Sequence, residues 1–131
     1  MITVITYGTF DLFHIGHLRL IERAAAKGDY LIVGISTDEF NLKEKNKVCV
    51  QPYDERSKIV SALKVVDKVI PEHCWAQKLD DIKKYGVDIF VIGDDWHGKF
   101  DFLQEFCSVI YLKRTPGVST TERKKNISSQ S

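Results

Sequence analysis

Two histidines three residues apart give the first chemical signal. Residues 7–17 read Tyr-Gly-Thr-Phe-Asp-Leu-Phe-His-Ile-Gly-His, so His14 and His17 share a face if a helix begins near Gly16. Gly8 permits a tight turn, and Gly16 removes a side chain where a ligand would approach the backbone. Helix N-termini carry partial positive charge and bind phosphate. Imidazoles set there can donate hydrogen bonds to phosphate oxygens whose charge grows during reaction. Three readings stand open: a nucleotide phosphate site, a purely structural helix start, or two ligands of a zinc ion. Zinc would need a third ligand, and no Cys or Glu stands at a convincing spacing.

A second candidate follows about 100 residues later, Arg114-Thr-Pro-Gly-Val-Ser-Thr-Thr121. Arg114 offers a fixed fork for phosphate oxygens. Ser119, Thr120 and Thr121 stand where a short helix would begin near Glu122. Their hydroxyls suit either an ordinary helix cap or a phosphate. Between the two sites, Lys43, Lys45 and Lys47 alternate within the polar stretch Asn41–Pro52. Such a run is either a solvated face or a basic flap over anionic substrates. Arg56 opens a helix and could pair with a nearby acid.

The elements that would position these groups alternate. Apolar, β-branched runs at Val4–Tyr7, Tyr30–Ser36, Val66–Ile70, Asp88–Ile92 and Ser108–Leu112 suit strands buried on both faces. Val66–Ile70 is the weakest, interrupted by Asp67 and Lys68 and followed by Pro71. Helical patterns cover His17–Lys27, with Gly28 as a C-terminal stop, Asp54–Val65, and Trp75–Tyr85, ending at Gly86. This order predicts one α/β domain over residues 1–131, a Rossmann-like, doubly wound, mainly parallel five-stranded sheet flanked by helices, with a frayed tail over 126–131. Ligands bind such sheets at the C-terminal strand ends, where both Asn41–Pro52 and Gly93–Phe102 fall.

Composition narrows the class. The chain has 131 residues, 44% hydrophobic and 28% charged, with a net charge of +1. That excludes disorder, and it leaves no global field to attract nucleic acid or an anionic membrane. No apolar stretch approaches the roughly 20 residues that span a bilayer. Residues 1–7 read as a strand rather than a signal peptide. The three cysteines cannot all pair and none lies in a CxxC, which suits a reduced, cytoplasmic setting.

Gly8-Thr-Phe-Asp11 followed by His14-Ile-Gly-His17 resembles the nucleotidyltransferase superfamily marked by HxGH. The same fold serves class I aminoacyl-tRNA synthetases, but those are far longer and carry a KMSKS motif absent here. Arg114–Thr121 resembles the RTxGxSTT signature of the small bacterial cytidylyltransferases. The resemblance extends through Ser36–Asn41, Gly93–Trp96 and Gly98–Leu103, nearly the whole chain, and is nearest to those acting on glycerol phosphate.

This resemblance implies transfer of the cytidylyl group of CTP to sn-glycerol 3-phosphate, giving CDP-glycerol and pyrophosphate by direct in-line attack, for teichoic acid or a similar surface polymer. It implies a homodimer, and Mg²⁺ held mainly by the CTP phosphates rather than by a protein side chain. His14, His17 and Arg114 would be catalytic. Gly8, Thr9, Phe10, Asp11, Gly16, Lys47, Asp94, Thr115, Gly117, Ser119, Thr120 and Thr121 would join them around the nucleotide. Lys45 and Lys78 would contact the acceptor, Lys78 otherwise reading as a solvated helix lysine. Asp94 would meet the cytosine or a bound ion and Trp96 would wall the pocket, or the two simply form a polar turn. One extra residue between Asn41 and Tyr53, relative to the family pattern, allows the lysine register to slip by one or two. Two rivals remain: a nucleotidyltransferase for another nucleotide or phosphate, and a non-enzymatic nucleotide-binding α/β module. Against the second, the first strand is followed by a single acid, Asp11, and Gly8 lacks the GxGxxG pattern.

Overall fold

The computed structural model of the chain describes residues 1–113. In chain order it contains β1 (Thr3–Gly8), α1 (Ile15–Ala25), β2 (Tyr30–Ser36), α2 (Asp38–Glu44), α3 (Tyr53–Ser61), β3 (Lys68–Glu72), α4 (Gln77–Tyr85), β4 (Ile89–Gly93) and β5 (Ser108–Leu112). Short 3₁₀ turns at Asp94–Trp96 and Asp101–Glu105 link the last two strands. The five strands form one parallel sheet in the order β3-β2-β1-β4-β5. The chain winds outward from β1 through β2 to β3, then returns to place β4 on the other side of β1. The switch point therefore lies between β1 and β4, where such sheets open a crevice at the carboxyl ends.

Period-2 alternation decides which helices cover which face. Val4, Leu31, Val33, Ile35 and Val91 pack with Ile21 and Ala24 of α1 and Val60 of α3. Their neighbours Ile5, Tyr7, Ile32, Phe90 and Ile92 pack with Ile82 of α4 and with Phe100 and Leu103. Both faces are buried, which explains the nearly continuous apolar reading of these strands.

Several boundaries differ from the sequence expectation, for physical reasons. Pro71 lies inside β3 rather than after it, and β3 is an edge strand, where a missing N–H costs no ladder bond. The polar stretch from Asn41 begins inside a helix, the end of α2, which is capped by the Thr37 hydroxyl accepting from the Phe40 amide at 3.1 Å. Helix α3 stops at Ser61, short of Val65, and α4 starts at Gln77 after Trp75. Gly28 is not a left-handed helix stop, since α1 closes on Ala26. It is small because a Cβ there would lie 2.7 Å from the Ile2 carbonyl oxygen. Gly86 does end α4 as expected, at φ 60°. Cys49, Cys74 and Cys107 carry free thiols.

Candidate active site

The turn from β1 into α1 is held by the two histidines themselves. His14 is the N-cap of α1, and its Nδ1 accepts from the Gly16 amide at 3.0 Å. His17, in the first turn, reaches back so that its Nδ1 accepts from the His14 amide at 3.2 Å. This is the reciprocal arrangement of a capping box, built from imidazoles. The two rings stack with centroids 4.0 Å apart. Because each Nδ1 accepts from a backbone N–H, each ring carries its proton on Nε2, as a donor. The result is a pair of imidazole Nε2–H donors at a helix N-terminus beside the switch point.

Burial first, then the charges of His14 and Lys47, pull the His17 pKa down to about 4. An unfolded histidine titrates near 6.5, so between about pH 6.5 and 4 the unfolded chain takes up a proton that folded His17 refuses. This contribution costs stability as pH falls through that window and vanishes above it. His17→Gln keeps the reach-back acceptor without the titration. Its melting temperature should therefore fall less than that of the wild type between pH 6.5 and 4.5, and identical slopes would contradict the assignment.

The rest of the turn is built to stay in place. Phe10 and Leu12 hold left-handed backbone, at φ 54° and 50°, a strain that persists only where surrounding contacts fix it. The Phe10 ring is buried and meets His17 edge-on, centroids 5.6 Å apart. The Asp11 carboxylate is buried and accepts from the Val50 and Gln51 amides at 2.8 and 3.0 Å, so it anchors the loop after the lysines. Thr9 Oγ1 accepts from the Ser36 hydroxyl at 3.1 Å, joining the ends of β1 and β2.

Arg56, which the sequence shows only as a helix-start arginine, organises the site. Its side chain is fully buried. It donates to the carbonyls of Thr9, Ser36 and Gln51 at 2.8–3.0 Å and to the Asp38 carboxylate at 2.6 Å. One guanidinium thus ties the histidine turn, the end of β2, the start of α2 and the lysine loop together.

On the other side of the switch point lies a cleft lined by Tyr7, Gly8, Lys45, Glu72, Trp75, Lys78, Ile92, Trp96 and Phe100. Lys78 is not a solvated helix lysine: it is buried to 2% exposure and paired with Glu72, itself 2% exposed. The Lys45 ammonium sits 5.2 Å from the Phe40 ring centroid and 5.6 Å from that of Trp75. Burial, more than any neighbouring charge, lowers the Lys45 pKa. Lys47 instead lines a groove with Asp38, Leu42, Val48, Cys49, Val50 and Pro52, and its charge reaches His17. Lys43 lies in α2, beside a third cleft with His73. Asp94 is exposed in its 3₁₀ turn, and Trp96 meets Trp75 and Phe100 at centroid distances of 5.6 and 5.7 Å.

Residues 5–131 match the family model described as cytidylyltransferase-like. The chain belongs to the cytidylyltransferase-like family. Its relatives include the glycerol-3-phosphate cytidylyltransferase of Bacillus spizizenii, 60% identical over 96% of this chain and 97% of that one. They also include the ethanolamine-phosphate cytidylyltransferase of Mus musculus, 36% identical over 88% of this chain and 30% of that one. The crystal structure of the lipopolysaccharide core biosynthesis protein from Thermoplasma volcanium GSS1 shares the fold, with a TM-score of 0.74, 24% identity, and coverage of 88% of this chain and 98% of that one.

Within this family member, Arg114, Thr115, Gly117, Ser119, Thr120 and Thr121 lie outside the described residues. The last described residue before them, Lys113, has its carbonyl held by Arg23 of α1 at 2.8 Å. Among the described residues no helix is long and apolar enough to cross a membrane, and no three His, Cys, Asp or Glu side chains are grouped to hold a metal ion. Sequence reasoning missed Glu72, whose burial comes from the partner it meets across β3 and α4.

Proposed function

We propose that this chain transfers the cytidylyl group of CTP to sn-glycerol 3-phosphate, forming CDP-glycerol and pyrophosphate. The stacked, mutually capped histidine pair beside the β1/β4 crevice carries the reading, and the full-length likeness to glycerol-3-phosphate cytidylyltransferases supports its choice of substrates. A phosphate oxygen of the acceptor attacks the α-phosphorus of CTP. The new P–O bond forms as the bond to pyrophosphate breaks, and no proton need leave the nucleophile. Catalysis is then positioning and charge stabilisation. Nε2–H of His14 and His17 donates to the phosphate oxygens as charge shifts onto them.

The donors on offer are imidazoles, lysines and backbone amides, which suit phosphate oxygens. Asp11 spends both carboxylate oxygens on amides. This supports a substrate in which Mg²⁺ travels on the CTP phosphates. Arg114 and the Ser119–Thr121 segment are the proposed hold on the leaving pyrophosphate. A homodimeric, cytoplasmic enzyme supplying a surface polymer such as teichoic acid completes the proposal.

The two lysines divide the substrates. A charge-assisted lysine contact is worth about 1.5–3 kcal/mol, or about 10–150-fold in binding. Lys45→Ala should raise KM for glycerol 3-phosphate by that factor and leave KM for CTP nearly unchanged. Lys47→Ala should do the reverse, and Lys43→Ala should alter neither. An acceptor defect in Lys43→Ala instead would mean the register has slipped. The reading as a whole is tested by pyrophosphate release with CTP or ATP against glycerol, sugar-alcohol and amino-alcohol phosphates. CTP with glycerol 3-phosphate should give the highest kcat/KM. Preference for ATP or for another phosphate would move the chain to a different transferase, and no turnover with any pair would leave only a binding module.

A further inference from the structure

The environment of the Lys78 ammonium is that of a bound ligand rather than of a side chain at a surface. Nζ lies 4.7 Å from the ring centroid of Tyr7, 5.1 Å from that of Trp75 and 5.2 Å from that of Phe100. The Glu72 carboxylate takes the remaining side as its ion-pair partner. Several aromatic faces and one carboxylate around a single cation is the arrangement by which proteins recognise alkylammonium ligands. The walls are fixed from behind. Tyr7 donates to the buried Asp81 carboxylate at 2.6 Å, and Gln77 donates to the same oxygen at 3.1 Å and to the Pro71 carbonyl at 2.6 Å. Gly34 lets the Tyr7 ring lie against β2, since a Cβ there would fall 2.4 Å from it. With Lys78 in place, this cleft keeps a cavity of about 30 Å³, room for only about one or two water molecules.

We propose that Lys78 sets acceptor selectivity by filling an alkylammonium cage with the protein's own cation, so that phosphates carrying an ammonium group are refused and uncharged polyol phosphates are accepted. This rests on the acceptor assignment of the same cleft made above. An ethanolamine or choline phosphate would bring a second positive charge against Lys78, next to that of Lys45, with the aromatic faces and Glu72 already engaged. A glycerol phosphate brings only hydroxyls and a phosphate, and meets the same lysines as an anion. Removing Lys78 would leave Glu72 and three rings around a space of ammonium size, which is a cation site.

Lys78→Ala provides the test in two readouts. The first is binding of methylammonium chloride, followed by quenching of Trp75 and Trp96 fluorescence against sodium chloride at equal ionic strength. Lys78→Ala should show saturable quenching and the wild type none, and Glu72→Gln/Lys78→Ala should bind at least 10-fold more weakly. The second is the ratio of kcat/KM for ethanolamine phosphate to that for sn-glycerol 3-phosphate, which should rise at least 10²-fold in Lys78→Ala. Lys78→Met keeps the core filled while removing the charge, and its ratio should rise at least 10-fold. A folded Lys78→Ala that binds no methylammonium, or a ratio within threefold of wild type in Lys78→Met, overturns the proposal. Failure of the acceptor assignment is separable: the wild type would then make no CDP-glycerol, whereas methylammonium binding to Lys78→Ala requires no turnover.

Discussion

His14→Ser lowers kcat by about 10²-fold or more while the protein stays folded, because serine keeps the helix cap but cannot reach a phosphate. Loss of one oxyanion-type donor costs about this much. The choice of serine matters. His14 caps α1 through Nδ1, and replacing a capping residue by alanine costs about 0.5–2 kcal/mol. His14→Ala therefore combines a rate defect with a modest stability loss. His17→Gln separates the two roles in the same way, and its rate should fall comparably. Steady-state rates with saturating CTP and glycerol 3-phosphate, beside thermal melts, check this. Full activity in either variant would remove the histidines from the chemistry.

Arg56→Met gives the largest loss of stability. It leaves the buried carbonyl of Ser36 and the partly buried carbonyls of Thr9 and Gln51 without their guanidinium donor. An orphaned acceptor costs about 1–3 kcal/mol when buried and less when water can reach it, offset in part by the apolar packing of methionine. A net loss of about 3–5 kcal/mol follows, a fall in Tm of about 11–18 °C for a domain of this size. Asp38→Asn should cost far less, since that side chain is 48% exposed and water replaces the pairing. Because Arg56 ties the histidine turn to the lysine loop, KM for CTP should also rise in Arg56→Met measured well below its Tm. A Tm within 3 °C of wild type would show that the guanidinium is not the tie.

Strand positions were legible because a parallel sheet buried on both faces leaves continuous β-branched runs; Tyr30–Ser36 and Ser108–Leu112 read to the residue. The meeting of His14 and His17 at the start of α1 was legible because they are close in sequence. Helix α2 was missed although Thr37-Asp-Glu carries an N-cap and an acidic first turn; its polar, lysine-rich end outweighed that signal. Gly28 was misread because the contact it makes room for, at Ile2, is distant in the chain. Arg56, Glu72 and Lys78 were illegible as buried groups for the same reason. A charged side chain reads as solvated until its partners, here Asp38 for Arg56 and Glu72 with Lys78, are brought in from other elements.

The stereochemical course at the α-phosphorus tests the central claim most directly, since direct attack by the acceptor phosphate demands a single displacement. Cytidine 5′-O-(1-thiotriphosphate) of one configuration, with glycerol 3-phosphate and Mg²⁺, should give α-thio CDP-glycerol of inverted configuration, assigned by ³¹P NMR. Retention would mean two displacements through a cytidylyl-enzyme, and would contradict transfer by positioned charges alone.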